Sequence, residues 1–117
     1  MTGEKPELKH EKGYVVIRDV EVKLSDGICA RPAAVIVRWS GKYTNEIIIQ
    51  DSLIIGHPGV SSRSIMDLMT LEVHKGSKLN LMVQDLPNTN PEDIAKELYV
   101  GLTTDDFYPY LDYRKKS

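Results

Sequence analysis

The sequence predicts an α+β fold in which helices cover one face of a mostly antiparallel sheet. Stretches of alternating apolar and polar residues recur along the chain, a pattern typical of strands with one solvent-exposed face. Two amphipathic helical segments, each with a proline in its first turn, lie between or after these strands. Because strands with one wet face usually pair antiparallel, we expect an open-faced β-sandwich with a four-stranded antiparallel sheet.

The first half of the chain supplies strands on either side of one helix. Residues 20–24 alternate between apolar and charged, whereas residues 14–17 are almost continuously apolar. A helix is predicted over residues 30–40. Its core-facing residues, spaced i, i+3, i+4 and i+7, are Ala33, Ile36, Val37 and Ser40. Two further strands, over residues 44–51 and 52–57, follow so closely on each other that they should form a hairpin.

The second half contains a short helix, a strand and a longer helix. The short helix, over residues 64–71, begins with a capping-box pattern, and an alternating strand over residues 78–84 follows it. The last helix starts at Pro91, with Asn90 as its predicted cap. Its buried stripe consists of Ile94, Leu98 and Leu102.

A chain of 117 residues has room for one hydrophobic core. The N-terminal residues 1–12 are polar and charged, so we expect a flexible arm there. The folded domain should then span residues 13–103. Residues 104–117 form a C-terminal tail in which aromatic residues alternate with charges, and this tail either packs back on the domain or stays mobile.

Composition and charge exclude several classes of function. Fifteen basic and seventeen acidic residues give a net charge of −2, which argues against nucleic acid as a partner. One cysteine, Cys29, allows no intramolecular disulfide and favours a reducing compartment. The N-terminus lacks the apolar core of a signal peptide, and no apolar run is long enough to span a membrane. We therefore expect a cytoplasmic protein with no membrane association, no cofactor and no metal ion.

Two motifs lie at the starts of the first and second predicted helices. They are Gly27-Ile28-Cys29-Ala30-Arg31-Pro32-Ala33-Ala34 and Arg63-Ser64-Ile65-Met66-Asp67-Leu68-Met69. The first is similar to the active-site segment of the HPr phosphocarrier family of the bacterial sugar phosphotransferase system, in which glycine, an apolar residue, histidine, a variable residue, arginine, proline and alanine follow one another. The second is similar to the family's regulatory segment, whose serine a dedicated kinase phosphorylates in many Gram-positive bacteria. The resemblance spans about residues 20–102 and implies an HPr-like domain.

The resemblance places Cys29 at the position of the family's phosphorylated histidine, and a thiol cannot form a phosphoramidate. The start of a helix nevertheless favours anions, so Ala30 and Arg31 are candidate phosphate-binding residues. Cys29 has three interpretations: an inert or merely binding residue, a redox-sensitive thiol, or a true phosphoacceptor. Arg31 is either an anion or partner contact, or a surface arginine paired with a neighbouring acid.

The resemblance makes Ser64 a candidate site of regulatory phosphorylation, although a serine at that position is also a helix N-cap. Asp67 in the first turn would repel the added phosphate. A serine that a kinase can reach should have exposed neighbours, and methionine suits adaptable binding surfaces. The candidate partner-binding residues are Ala34, Arg38, Ile65, Met66 and Met69.

Three functions remain open at this point. The first is a regulatory interaction module, not itself an enzyme, that docks an HPr serine kinase and a transcription factor and is switched by phosphate on Ser64. The second is an atypical phosphocarrier in which Cys29 exchanges a phosphoryl group with enzyme I and sugar-specific transport proteins. The third, weaker one is a thiol sensor on the same scaffold.

Overall fold

The structure is a computed structural model that describes residues 6–104 and 107–111. Residues 1–5 of the predicted arm and residues 105, 106 and 112–117 of the predicted tail lie outside the described residues. The elements are β1 (Lys9–Glu11), β2 (Tyr14–Glu21), α1 (Ala30–Ser40), β3 (Ile47–Asp51), β4 (Val60–Ser61), α2 (Ile65–Thr70), β5 (Lys78–Gln84), α3 (Pro91–Thr103) and α4 (Phe107–Leu111).

The strands form one antiparallel sheet in the order β1-β2-β5-β3-β4. Two cross-strand rows of aliphatic side chains lie on one face of this sheet. The rows are Val15–Val83–Ile47 and Ile17–Leu81–Ile49. These residues share a single buried cluster with residues from all four helices. The predicted α+β class, an antiparallel sheet packed against helices, is confirmed.

The sheet has five strands within the described ranges, one more than the sequence indicates. The added strand, β1, lies in the segment predicted to be an arm, and it pairs with the start of β2. Lys12 and Gly13 connect the two strands with φ values of 52° and 83°, as a tight hairpin turn requires. The Arg18 guanidinium donates to the Glu11 carboxylate across the pair and lowers the pKa of that carboxyl.

Strand β2 joins the two predicted segments: it contains residues 14–17 and ends at Glu21, within the segment 20–24. A bulge at Arg18 and Asp19 shifts the register between Ile17 and Val20, and Asp19 has a φ of 57°. The Asn80 side chain accepts a hydrogen bond of 3.1 Å from the Asp19 N–H and satisfies the distorted backbone. Because the bulge inserts a residue, Ile17 and Val20 face the same core despite their odd spacing.

The prediction of a strand over residues 52–57 is wrong. β3 ends at Asp51, whose carboxylate accepts a hydrogen bond from the Leu53 N–H at 2.9 Å and whose carbonyl accepts from Ile54 at 3.2 Å. These bonds turn the chain at once instead of extending it. The returning strand, β4, is only Val60–Ser61.

Helices α1 and α3 occupy the predicted positions. In α3 the predicted stripe of Ile94, Leu98 and Leu102 is buried. In α1 the buried face is rotated relative to the prediction, because Val35 and Trp39 are buried and Val37 is only half-buried. Helix α1 packs against α4, and the Trp39 indole N–H donates to the Glu97 carboxylate of α3.

The tail contributes α4, which contacts α3 and α1 through the buried side chains of Phe107 and Leu111. None of the helices in the described part of the chain has the length and apolar content to cross a bilayer. Residues 6–104 and 107–111 also contain no cluster of three His, Cys, Asp or Glu side chains suited to hold a metal ion.

Candidate functional site

The loop before α1 is fixed by a close contact with the backbone at Val73. Gly27 has a φ of +65°, and a Cβ atom there would lie 2.0 Å from the Val73 carbonyl oxygen. The same carbonyl accepts a hydrogen bond from the Ile28 N–H at 3.2 Å. The chain therefore reaches Cys29 with its direction already set, and no residue other than glycine fits at position 27.

Cys29 is the N-cap residue of α1 and is exposed. Its carbonyl accepts the first helical hydrogen bond, from Ala33 at 3.0 Å, but its thiol caps no backbone N–H within the described ranges. A side chain at the N-cap normally bonds the N–H of the second or third helical residue. The third residue is Pro32, which has no N–H. The three predicted phosphate-site candidates at the start of α1 are all exposed: Cys29, Ala30 and Arg31.

Arg31 lies beside the C-terminal helix. Its guanidinium carbon is 4.4 Å from the centroid of the Tyr108 ring. Within residues 6–104 and 107–111, the Arg31 side chain makes no hydrogen bond or ion pair. The two interpretations of Arg31, an anion or partner contact and a surface arginine paired with a neighbouring acid, both stay predictions, since Asp105 and Asp106 lie outside the described residues. No local sequence pattern indicates the contact with Tyr108, because 77 positions separate the two residues.

A cleft of about 200 Å³ lies at this end of the molecule. The loop before α1 forms one wall, and the first residues of α4 form the other. The residues that line it are Lys23, Leu24, Ser25, Asp26, Gly27, Cys29, Pro32, Thr104, Phe107 and Tyr108. Cys29 and Tyr108 therefore share one cleft, and α4 is part of the surroundings of the predicted phosphoacceptor position.

Ser64 is the N-cap residue of α2, as the capping-box pattern predicts. Its hydroxyl oxygen accepts a hydrogen bond of 3.1 Å from the Asp67 N–H. Leu68, fully buried, anchors the helix, whereas Ile65, Met66 and Asp67 are exposed. The serine itself is half-buried. The structure thus places the candidate regulatory residue at the start of a short helix that is held to the domain mainly by one side chain.

Arg63 attaches the Ser64 segment to the end of α1. Its Nη2 group donates to three backbone carbonyls, those of Ser40 at 3.2 Å, Asn45 at 3.1 Å and Tyr43. Ser64 therefore lies near the end of α1 opposite to Cys29, and α1 is about 16 Å long at 1.5 Å per residue. The sequence motif includes Arg63, but this clamp was not predicted, because its acceptors are carbonyl groups of a distant turn.

The predicted partner-binding residues fall into two groups. Met66 is 76% exposed, and Ile65 and Met69 are 39% and 42% exposed, on a helix that packs against α1. Ala34 and Arg38, on α1, are half-buried. A further exposed apolar group lies in the turn after β3, within residues 52–57, where the sequence predicts a strand. It consists of Leu53, Ile54 and Ile55.

The fold and these two helix starts define a protein of the HPr class, and comparison with known families agrees. Residues 16–89 match the family described as "PTS HPr component phosphorylation site", a range that includes both Cys29 and Ser64. The chain belongs to this HPr family.

Named relatives and one solved structure support the same assignment. The chain is 39% identical over 87 residues to the HPr-like protein Crh of Halalkalibacterium halodurans, covering 74% of this chain and 94% of that protein. It is 31% identical over 81 residues to the phosphocarrier protein HPr of Treponema pallidum, covering 69% and 82% of the two chains. The crystal structure of a phosphocarrier protein HPr from Bacillus anthracis superimposes with a TM-score of 0.63 at 27% identity, covering 80% of this chain and 100% of that chain.

Proposed function

We propose that this chain is a regulatory HPr-like protein of the phosphotransferase system and of carbon regulation, switched by phosphorylation of Ser64. The observation that carries the proposal is the setting of Ser64, which begins a helix with exposed apolar neighbours. The likeness to an HPr-like protein Crh adds support. In this proposal the chain works in the cytoplasm and is a substrate of a kinase rather than an enzyme.

The switch acts through charge. A phosphoryl group on Ser64 adds about −1.5 to −2 charges and three strong acceptor oxygens, which the arginines of a partner can bind. The Ser64 oxygen is already oriented by the Asp67 N–H, so the added group has a defined starting direction. Asp67 is exposed, which lets its carboxylate turn away from the phosphate into solvent.

The partner surface in this proposal is the exposed group of Ile65, Met66 and Met69, extended by Ala34 and Arg38 on α1. An HPr serine kinase would recognise this surface first, and a transcription factor would recognise the phosphorylated form. Methionine side chains adapt to differently shaped partners, which suits a surface that meets more than one protein.

A second function is favoured by one observation, the exposure of Cys29 at the start of α1 beside Arg31. The Cys29 thiolate would attack the phosphorus of a phosphohistidine on enzyme I. The S–P bond forms as the N–P bond breaks, the departing imidazole takes up a proton, and the group moves on to a sugar-specific transport protein. Arg31 and the N–H groups of the first turn, including that of Ala30, would hold the phosphoryl oxygens.

Site-resolved mass spectrometry distinguishes the two functions. The purified protein is incubated with ATP and HPr serine kinase, and separately with phosphoenolpyruvate and enzyme I. The regulatory proposal expects phosphate on Ser64 in the first reaction and none on Cys29 in the second. The matched controls are Ser64→Ala and Cys29→Ser. Phosphate on Cys29 would reverse the ranking, and no phosphate in either reaction would contradict both mechanisms.

A further inference from the structure

The C-terminal helix α4 is firmly attached next to the cleft that Cys29 lines. Phe107 and Leu111 are 2% and 0% exposed. Leu111 packs directly on Gly101 of α3, where a Cβ atom would lie 2.8 Å from the Leu111 Cγ and Cδ1 atoms. The buried residues thus fix the position of the helix, and Tyr108, which lies between them in sequence, is held at the edge of the cleft.

The contact between Tyr108 and Arg31 restrains the guanidinium without a hydrogen bond to its N–H groups. The guanidinium carbon lies 4.4 Å from the centroid of the Tyr108 ring, so this planar group makes a cation–π contact with the ring. The N–H donors of an arginine lie around the edge of this plane. In the described part of the chain they have no acceptor. An arginine that an aromatic ring contacts in this way is restrained in direction and still able to donate.

We propose that Tyr108 is a positioning residue, which holds the Arg31 guanidinium beside the Cys29 cleft so that its N–H edge faces a phosphoryl or other anionic group there. The inference rests on the second function proposed above, in which Arg31 binds such a group. It adds that α4, outside the predicted HPr-like domain over residues 13–103, is a working part of this site. Without the ring, the long arginine side chain would spread over many rotamers and spend less time at the cleft.

Cys29 allows a direct test, because it is the single cysteine of the sequence and alkylation therefore reports on one position. Iodoacetate and iodoacetamide are similar in size but differ in charge. The rate constant for iodoacetate divided by that for iodoacetamide, at one pH and one ionic strength, measures the positive potential at the thiol. Steric effects largely cancel in this ratio. Loss of one nearby positive charge should lower this ratio about two- to fivefold, and added salt should weaken the difference.

Four variants and the unchanged chain are compared in this assay. The ratio should be lowest in Arg31→Gln, which has lost the charge. In Tyr108→Leu the ratio should fall most of the way to its value in Arg31→Gln. In Tyr108→Phe, which keeps the ring, the ratio should match that of the unchanged chain. Gly101→Ala serves as a second route, because it pushes Leu111 and α4 away from α3 without touching Arg31 or Tyr108. It should also lower the ratio.

The outcomes separate the inference from the function on which it rests. If Arg31→Gln lowers the ratio but Tyr108→Leu and Gly101→Ala do not, Tyr108 does not position Arg31, and the anion-binding role of Arg31 stands. If Arg31→Gln leaves the ratio unchanged, both the positioning and the anion-binding role are contradicted. Phosphorylation of Ser64, measured separately by mass spectrometry, is unaffected by either result.

Discussion

The start of α1 and the start of α2 differ in their N-capping and in what surrounds them. At the start of α2, Ser64 caps the helix with a hydrogen bond of 3.1 Å, and the surrounding side chains are exposed. At the start of α1, Cys29 makes no such bond within the described residues, and α4 forms one wall of the adjacent cleft. The start of α2 is therefore stabilised by a hydrogen bond within the helix, and its exposed side chains are accessible to partners. The start of α1 borders a cleft whose other wall is formed by α4.

The chemical basis of this difference is local. The third residue of α2 is Asp67, whose N–H is available to the cap, whereas the third residue of α1 is Pro32, which has none. Proline there suits the helical backbone but removes the third-residue donor, which leaves only the Arg31 N–H for a cap. At the start of α1, Arg31 instead contacts a ring far along the chain, that of Tyr108.

The largest expected effect concerns the attachment of α4. Leu111→Ala removes a fully buried side chain and should lower the free energy of unfolding by about 2–5 kcal/mol. Met66→Ala, at a position that is 76% exposed on α2, should change the free energy of unfolding by less than about 0.5 kcal/mol. Urea denaturation of both variants measures the contrast, and equal small losses would mean that α4 is not docked as described.

A somewhat smaller effect is expected at the clamp that holds the Ser64 segment. Arg63→Met removes the donor of three hydrogen bonds to backbone carbonyls and should lower the free energy of unfolding by about 2–3 kcal/mol. Arg18→Met, which removes an exposed ion pair with Glu11, is the matched control and should have little effect. A loss at Arg63 no larger than at Arg18 would show that the clamp is not needed for stability.

The two helix caps should respond unequally to substitution. Ser64→Ala loses the bond to the Asp67 N–H and should lower the free energy of unfolding by about 1 kcal/mol. Thermal or urea denaturation of the unphosphorylated protein provides the measurement. A change within error of zero would indicate that the serine does not stabilise α2.

The smallest effect is expected at the other cap. Cys29→Ser introduces a good capping residue, but Pro32 withholds the third-residue N–H that Ser64 uses in α2, and only the Arg31 N–H remains as a donor. The free energy of unfolding should therefore change by less than about 0.5 kcal/mol. The double variant Cys29→Ser with Pro32→Ala restores the donor, and a gain in stability over Pro32→Ala alone would confirm the explanation.

The sequence was sufficient where the determining contacts are local. The helix over Pro91–Thr103, its buried stripe and the Ser64 cap follow from spacing and from residues within one turn. The bulge in β2 and the turn after Asp51 were missed, because alternation and apolar content alone do not reveal a residue with positive φ or a carboxylate that bonds the backbone.

The candidate site shows the same division. The motifs locate Cys29, Arg31 and Ser64, but two contacts that organise their surroundings connect residues far apart in the sequence. Arg63 donates to the carbonyl of Tyr43, which lies 20 positions earlier in the sequence. Arg31 contacts the ring of Tyr108, which follows α3. No periodicity or cap pattern encodes such pairs, since they depend on how the completed helices pack.

The most direct test of the contrast between the two helix ends is the extent of phosphorylation at each of them in one experiment. The intact protein is supplied with ATP and HPr serine kinase and, in a second vessel, with phosphoenolpyruvate and enzyme I, and phosphate is localised by peptide mass spectrometry at neutral pH. We expect nearly one phosphate per chain on Ser64 in the first vessel and none on Cys29 in the second. Phosphate on Cys29, with Ser64 unmodified, would contradict the account.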